Sequence, residues 1–428
     1  MNSYIKNKTG FIQFLLQHKT IILVGALFLL HLFLRFYGIE TKSIFVYDQV
    51  DSAWAAKNII IDHNYPLIGA ENKLGSGVHI GPLYYYISAA FYYLTNMDPI
   101  AAGLLAGTTS VLGFFILFYV AKKMFSTKVA IIALFINTVS YSAIEFERIQ
   151  WEVNFIPIIS TLSFYFLYRI LLKHERNILY FALVYAFALH IHLTTVVFLP
   201  LILLFTLPFF PKTKKTLYYI LLSIPIVLAG LASIIIYNII TGNSQAAGSL
   251  GYANSSFHGI HLTRMIQLLS TAFIQIESFT VFPMLRPISF LLLPIFFTVY
   301  FLNTPTRKKF IVVALIFLSF IIPWIVLSAY SGEITNYYFS TNRFVGLIAL
   351  SYLFFKLLML KKTFITLCIL IFALYYLAVN LQIFIKKPVI GLSYYRSYVK
   401  EHIKELKIIP FQEGSPVSYL YYLYTRNK

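Results

Sequence analysis

The chain has one cysteine, Cys368, inside an apolar run, which excludes a disulfide framework and a thiolate metal site. Charge is equally scarce. Asp, Glu, Lys and Arg make up 11% of the 428 residues, against about 25% in soluble domains, so a water-soluble globular enzyme is excluded as well. Acidic residues are the rarer sign, 15 against 34 basic. The net charge of +19 does not mark a nucleic-acid partner, because Lys and Arg sit in short clusters between apolar segments. There they orient a chain in a bilayer and hold anionic membrane lipids. No Walker loop, dinucleotide fingerprint, zinc motif or nucleophile elbow occurs, which argues against ATP-driven transport and the familiar hydrolases. There is no internal repeat and no low-complexity run. A basic start and a first apolar segment without a small-residue cleavage site read as an uncleaved first span.

What is present in quantity is hydrocarbon. Hydrophobic residues are 59% of the chain and mean hydropathy is +0.77. Apolar segments approaching the ~20 residues that a bilayer requires fall near 20–37, 98–121, 128–144, 154–172, 178–192, 193–210, 216–240, 285–303, 309–330, 343–360 and 363–384. The fold class is therefore an all-α polytopic membrane protein with about 11 transmembrane helices. The 33 Tyr and 41 Phe suit rings at headgroup level.

Six clusters of three basic residues fall in alternate loops: Lys6, Lys8 and Lys19; Lys122, Lys123 and Lys128; Arg169, Lys173 and Arg176; Lys212, Lys214 and Lys215; Arg307, Lys308 and Lys309; Lys356, Lys361 and Lys362. The positive-inside rule puts these in the cytoplasm and the remaining loops outside. The tyrosine-rich stretch 81–95 is too short to span, and counting it would break the charge pattern, so it is expected to lie in the outer interface. The domain organisation follows. Residues 1–385 form one transmembrane domain with outer loops 38–97, 145–153 and 241–284, and 386–428 form a small extracytoplasmic tail. Within the first loop, juxtamembrane helices are expected near 49–62 and 82–95; within the loop 241–284, an amphipathic stretch runs from Ile260 to Phe279.

Carboxylates near hydrocarbon must be solvated or paired, which makes the few present informative. Asp48, Gln49 and Asp51 follow the first span. If a helix begins near Asp48, its dipole stabilises that carboxylate, and Asp51 at i+3 shares the face. Simple N-capping explains the same residues equally well. The loop Glu145 to Asn154 concentrates three carboxylates, an Arg and a Trp, with Glu147 and Arg148 as candidate substrate partners. A solvated turn with Glu–Arg pairs is the plainer alternative. His190 and His192 would sit about 200° apart on a helix, so joint metal ligation is not expected. Either can be an ordinary interfacial histidine or a donor to phosphate. Arg343 opens a late span from outside, where it can meet a phosphate or snorkel. His79, Lys73 and Arg286 are weaker candidates of the same kind.

Tyr47-Asp48-Gln49 with Ala53, Gly81-Pro-Leu-Tyr-Tyr-Tyr86, the Leu189-x-x-His192-Leu-Thr stretch before Leu199-Pro200, and Arg343-Phe344 together resemble the GT-C membrane glycosyltransferases. The branch resembled contains protein O-mannosyltransferases and the lipid A aminoarabinose transferase. The likeness covers roughly the first 210 residues by motif and the rest by layout. Gln49 stands where Glu is commoner, Gly81 where a Pro is usual, and His192 where some relatives place Lys; these leave the donor sugar and metal dependence open.

The resemblance implies a GT-C-like fold and transfer of a hexosyl or pentosyl group from a polyprenyl-phosphate-linked sugar to an acceptor hydroxyl on a protein, lipid or glycan. Asp48 would be the general base and the configuration would invert. Taken with the residue readings above, substrate-binding roles are expected for Gln49, Asp51, Glu147, Arg148, His79 and Tyr84, and donor-phosphate binding for His192 and Arg343. No cofactor is called for; a divalent metal is compatible but not indicated. The expected location is the cell (plasma or inner) membrane, multi-pass, with an extracytoplasmic active site. Two other classes stay open. A flippase needs a polar path that the nearly charge-free spans do not offer. A surface-polysaccharide polymerase or ligase would put its Arg and His in a large late loop, whereas the acids here come early.

Overall fold

A computed structural model describes residues 2–72, 76–277, 289–302, 306–408 and 414–426, with side chains from His18 onward. Within a bilayer every backbone polar group must be satisfied internally, so the apolar segments form helices. The first, α1 (Asn2–Phe36), ends near a one-turn α2 (Ile39–Lys42), and is followed by α3 (Tyr47–Ile60) and α4 (Leu83–Leu94). At ~1.5 Å per residue, twelve residues of α4 reach only about 18 Å, short of the ~30 Å hydrocarbon layer. The interfacial expectation for 81–95 is consistent with that length.

Then come α5 (Ile100–Met124), α6 (Thr127–Val139), α7 (Tyr141–Arg148), α8 (Ile156–Leu171), α9 (Asn177–Ala188), α10 (Leu193–Thr206) and α11 (Lys214–Ile240). Hydroxyl caps mark several starts: Ser126 accepts from Val129 N, and Thr213 from Thr216 N. Ser140 ends α6 and caps α7, accepting from Ala143 N, and the two helices bend by 70° there. The remainder is α12 (Ser244–Ser256), α13 (Leu262–Ala272), α14 (Ile274–Glu277), α15 (Leu292–Phe301), α16 (Arg307–Ser328), α17 (Arg343–Met359), α18 (Thr363–Lys386), α19 (Leu392–His402) and α20 (Pro416–Thr425).

Among the described residues seven helices are long and apolar enough to cross a membrane, and the bent α6–α7 pair makes up to eight. Three more apolar helices, at 177–188, 193–209 and 289–301, are shorter. These correspond to the eleven segments expected; the turn at 189–192 falls at the expected junction of 178–192 with 193–210, and α9 ends earlier than expected, at Ala188. The part of the long outer loop that is described is helical too, and 278–284 lie outside the described residues.

The main core is a continuous apolar cluster contributed by α5, α6, α8, α10, α16 and α17. A second, smaller core joins α3 and α4 to the C-terminal tail. There Tyr419 is fully buried among Phe45, Trp54 and Tyr92 and donates its hydroxyl to Met97 O. Arg396 ties α19 to Glu40 and Asp98. The tail therefore packs against the elements that carry the first acidic residues. Following the helices from end to end puts α3, α4 and the tail at one pole, and the basic clusters from Lys122 to Lys362 at the other.

Candidate active site

The site begins with the first turn of α3. Tyr47 enters it at φ 31°, in the left-handed region that a non-glycine residue occupies only under constraint, and remains 75% exposed. Asp48 follows at the positive end of the helix dipole, and Asp51 lies one turn on. Both line a cavity of about 490 Å³, a size typical of small-molecule sites. Burial, and secondarily the Asp51 charge, hold the Asp48 carboxyl above its ordinary value of 3.8. Asp51 accepts a 2.6 Å hydrogen bond from the Tyr85 hydroxyl of α4. Burial and that carboxylate push the phenol's pKa up, so it stays a donor.

The facing wall comes from the turn after α7. Trp151 and Glu152 line the cavity, and Trp151 is fixed by its Nε1–H···Oδ1 bond to Asn154 at 2.8 Å. The Trp151 ring meets Tyr337 edge-on at 5.3 Å, and Tyr337 meets His192 at 5.6 Å. The third wall is an irregular hairpin in the first outer loop, which carries Glu71 and Asn72 into the lining. Gly69 N donates to Ile80 O, and Gly81 N donates to Leu189 O. A Cβ on Gly81 would lie 1.9 Å from His190 Nδ1. The departure from Pro at this position has a physical cause: the amide is used, and His190 fills the space.

The structure brings together Asp48, Asp51, Tyr84 and His192 on the one cavity. Other residues singled out by sequence lie elsewhere. Gln49 is buried behind it, donating from Nε2 to Gln150 O at 2.7 Å and accepting from Val46 N. That explains an amide where the resemblance favours Glu, since a carboxylate could not donate to the carbonyl. Gln150 in turn donates to the Tyr84 hydroxyl, so Gln49 fixes the loop that carries Glu152. His79 meets Gln245 of α12, which donates to its carbonyl.

Glu147 and Arg148 do not line the cavity, because both are spent on helix ends. Glu147 is buried and pairs with Arg35 at 2.5 Å, while Arg35 also donates to the carbonyls of Asn137 and Thr138 at the α6–α7 bend. Arg148 donates to the carbonyls of Leu34, Arg35 and Gly38, closing the end of α1. The solvated turn offered as the alternative for Glu145 to Asn154 fails at Glu147 and Arg148, which form a buried clasp, while Glu145 stays partly exposed and pairs with Lys387. Arg343 is buried at the start of α17, donating to Gln275 Oε1 at 2.8 Å and stacking over Phe146 at 4.5 Å; it also stands outside the cavity lining. Lys73 and Arg286 lie outside the described residues.

Glu152, Trp151, Tyr337, Tyr85, Glu71 and Asn72 line the cavity without having been assigned roles from sequence. Glu152 and Trp151 were inside a loop that attracted notice for its charge. Glu71 and Asn72 carried no pattern, because their place depends on the hairpin closing by backbone bonds. Four carboxylates line the cavity, and no Lys or Arg does among the described residues. No group of three metal-ligating side chains converges among those residues.

A bundle of this layout, with juxtamembrane helices over one pole and an acidic cavity beneath them, is the GT-C fold of helical membrane proteins. ArnT from Cupriavidus metallidurans bound to undecaprenyl phosphate is similar over 94% of this chain and 75% of its own, at TM-score 0.60 and 10% identity. Its apo state matches at TM-score 0.57 and 11% identity, over 94% and 74%. The oligosaccharyltransferase AglB from Archaeoglobus fulgidus, in complex with an inhibitory peptide and a dolichol-phosphate, matches at TM-score 0.56 and 12% identity over 95% of this chain and 60% of its own. No family model matches the sequence, and neither does any curated protein.

Proposed function

We propose that this chain is a membrane glycosyltransferase that moves a sugar from a polyprenyl-phosphate donor to an acceptor hydroxyl, with Asp48 as general base. The observation that carries the proposal is Asp48 itself: a carboxylate at a helix N-terminus, opening into a cavity at one pole of a GT-C bundle. The fold is shared with proteins whose structures hold undecaprenyl phosphate or dolichol-phosphate. Asp48 takes the proton as the acceptor oxygen attacks the anomeric carbon. The C–O bond to the phosphate breaks as the new one forms, so the configuration inverts. The leaving phosphate needs hydrogen-bond donors rather than a general acid. We assign that role to His192 and Asn72; in support, a narrow extension of about 50 Å³ shares both and continues between α10 and α16 past Phe198 and Leu327. An isoprenoid chain leaving that way stays among apolar side chains.

Purified protein incubated with a panel of polyprenyl-phosphate sugars should release polyprenyl phosphate from at least one. No release from any member, with or without acceptors, removes the proposal. The pH dependence provides a second check. Because burial and Asp51 raise the Asp48 pKa, the acid limb of kcat/KM should lie above the ordinary aspartate value. Asp51→Asn removes the neighbouring charge and should move that limb to lower pH, with kcat reduced less than about tenfold. An unmoved limb assigns the titration to another group.

The location proposed is the cell membrane with the cavity facing outward. In a Cys368→Ser background, cysteines at Tyr47 and Ser331 should react with an impermeant maleimide in intact cells, and one at Lys123 should react only after lysis. Labelling of Lys123 in intact cells would reverse the orientation.

A further inference from the structure

At the pole remote from the cavity, the ends of α8, α9 and α11 enclose a second, basic hollow of about 400 Å³. Arg169, Lys173, Arg176 and Lys215 line it with one carboxylate, Glu175. Glu175 accepts from the Thr213 hydroxyl at 3.4 Å. None of the four cations forms an ion pair among the described residues, and Arg169 Nε is buried with no hydrogen-bond partner. Lys173, Arg176 and Lys215 are exposed, so water screens much of their mutual repulsion; an anion in the hollow would relieve what remains and give the buried Arg169 Nε an acceptor.

The surroundings say what kind of anion. Lys215 stands in the first turn of α11, a helix in which only Thr216 is buried. Leu217, Tyr218 and Leu221 on α11 and Tyr180 and Leu183 on α9 are exposed beside the hollow. A free phosphate would leave that apolar surface unused; a lipid would cover it with acyl chains while its phosphate sat among the cations. Basic pockets between helices at a membrane face take anionic headgroups for this reason.

We propose that the hollow formed by Arg169, Lys173, Arg176 and Lys215 is a specific binding site for the phosphate headgroup of an anionic membrane lipid, remote from the cavity that carries Asp48. The site requires no covalent step and does not depend on the proposed transferase activity.

The test uses the full chain in detergent and follows its thermal unfolding midpoint, with native mass spectrometry counting bound lipid. Dioleoyl phosphatidylglycerol should raise the midpoint saturably and leave at least one retained adduct, whereas dioleoyl phosphatidylcholine and inorganic phosphate should do neither. Arg169→Gln/Arg176→Gln/Lys215→Gln should raise the half-saturating phosphatidylglycerol concentration on the order of 10²-fold. Lys356→Gln/Lys361→Gln/Lys362→Gln removes the same charge elsewhere on that pole and should change it less than about threefold. Should the first triple variant not fold, the exposed pair Arg176→Gln/Lys215→Gln serves in its place, with an expected loss of about tenfold. Equal losses in pocket and control variants, or none in either, would show only diffuse attraction and overturn the site. A response to inorganic phosphate equal to that of the lipid would overturn its assignment to a lipid.

Discussion

Asp48→Asn is expected to lower turnover by roughly 10²–10⁴ while binding of polyprenyl phosphate persists. The amide keeps the shape and most hydrogen-bonding capacity of the carboxylate and loses only its basicity. The size follows from what a positioned base contributes to deprotonating a hydroxyl in the transition state. A role confined to the helix dipole would give a different result. The cap position of α3 is Val46, two residues earlier, so full activity in this variant, at unchanged expression, would leave Asp48 only its place in the charged first turn.

The same substitution carries a stability signature of definite sign. The folded protein holds the Asp48 pKa above 3.8, chiefly by burial, so between that value and the raised one the folded state binds more protons than the unfolded. Stability is therefore lost as pH rises through that window, and the cost is complete above it. Asp48→Asn should unfold at a higher temperature than the parent at neutral pH, with the gap closing in acid. An activity loss joined to a stability gain separates a strained functional carboxylate from a structural one.

The fold was legible because hydropathy is a long-range average. A run of ~20 apolar residues forms a helix in a bilayer whatever its neighbours do, and each expected segment corresponds to helix among the described residues. Ser126 and Thr213 mark helix starts by capping, a signal present in the sequence that the hydropathy reading did not use. The turn at 189–192 was legible in part: the junction at 192/193 was read, but α9 stops at Ala188, since nothing in the apolar run marks its last turn. Asp48, Asp51 and His192 were within reach of sequence because the charge or motif was local. Glu147 shows the opposite limit. Its partners Arg35, Ser110 and Asn137 lie at separations of 112, 37 and 10 residues, and nothing in its own loop distinguishes a substrate contact from a clasp. Gln49 and Gly81 looked like departures from a pattern until their contacts with Gln150 O and His190 appeared.

Breaking the clasp should be the most destabilising single change in the bundle. Glu147 accepts from Arg35, Ser110 and Asn137, and Arg35 donates in addition to two carbonyls freed by the α6–α7 bend. Glu147→Gln keeps an acceptor oxygen but leaves the Arg35 charge buried and uncompensated, which costs ~3–5 kcal/mol in such settings. Arg35→Met/Glu147→Leu removes both charges and should recover part of that loss, because neither ion is then stranded. Reversible denaturation of the parent, Arg35→Met, Glu147→Leu and the double gives the coupling directly. Arg35 and Glu147 should couple by more than about 1 kcal/mol, and the Glu147→Gln protein that remains folded should keep its acceptor KM. The converse pattern, a loss below about 1 kcal/mol with acceptor KM raised tenfold or more, would place Glu147 against substrate, as its sequence context alone suggests. The clasp matters to the chemistry through position. Four residues past Arg148, the chain delivers Glu152 to the wall facing Asp48, and the bend held by Arg35 sets where that wall stands.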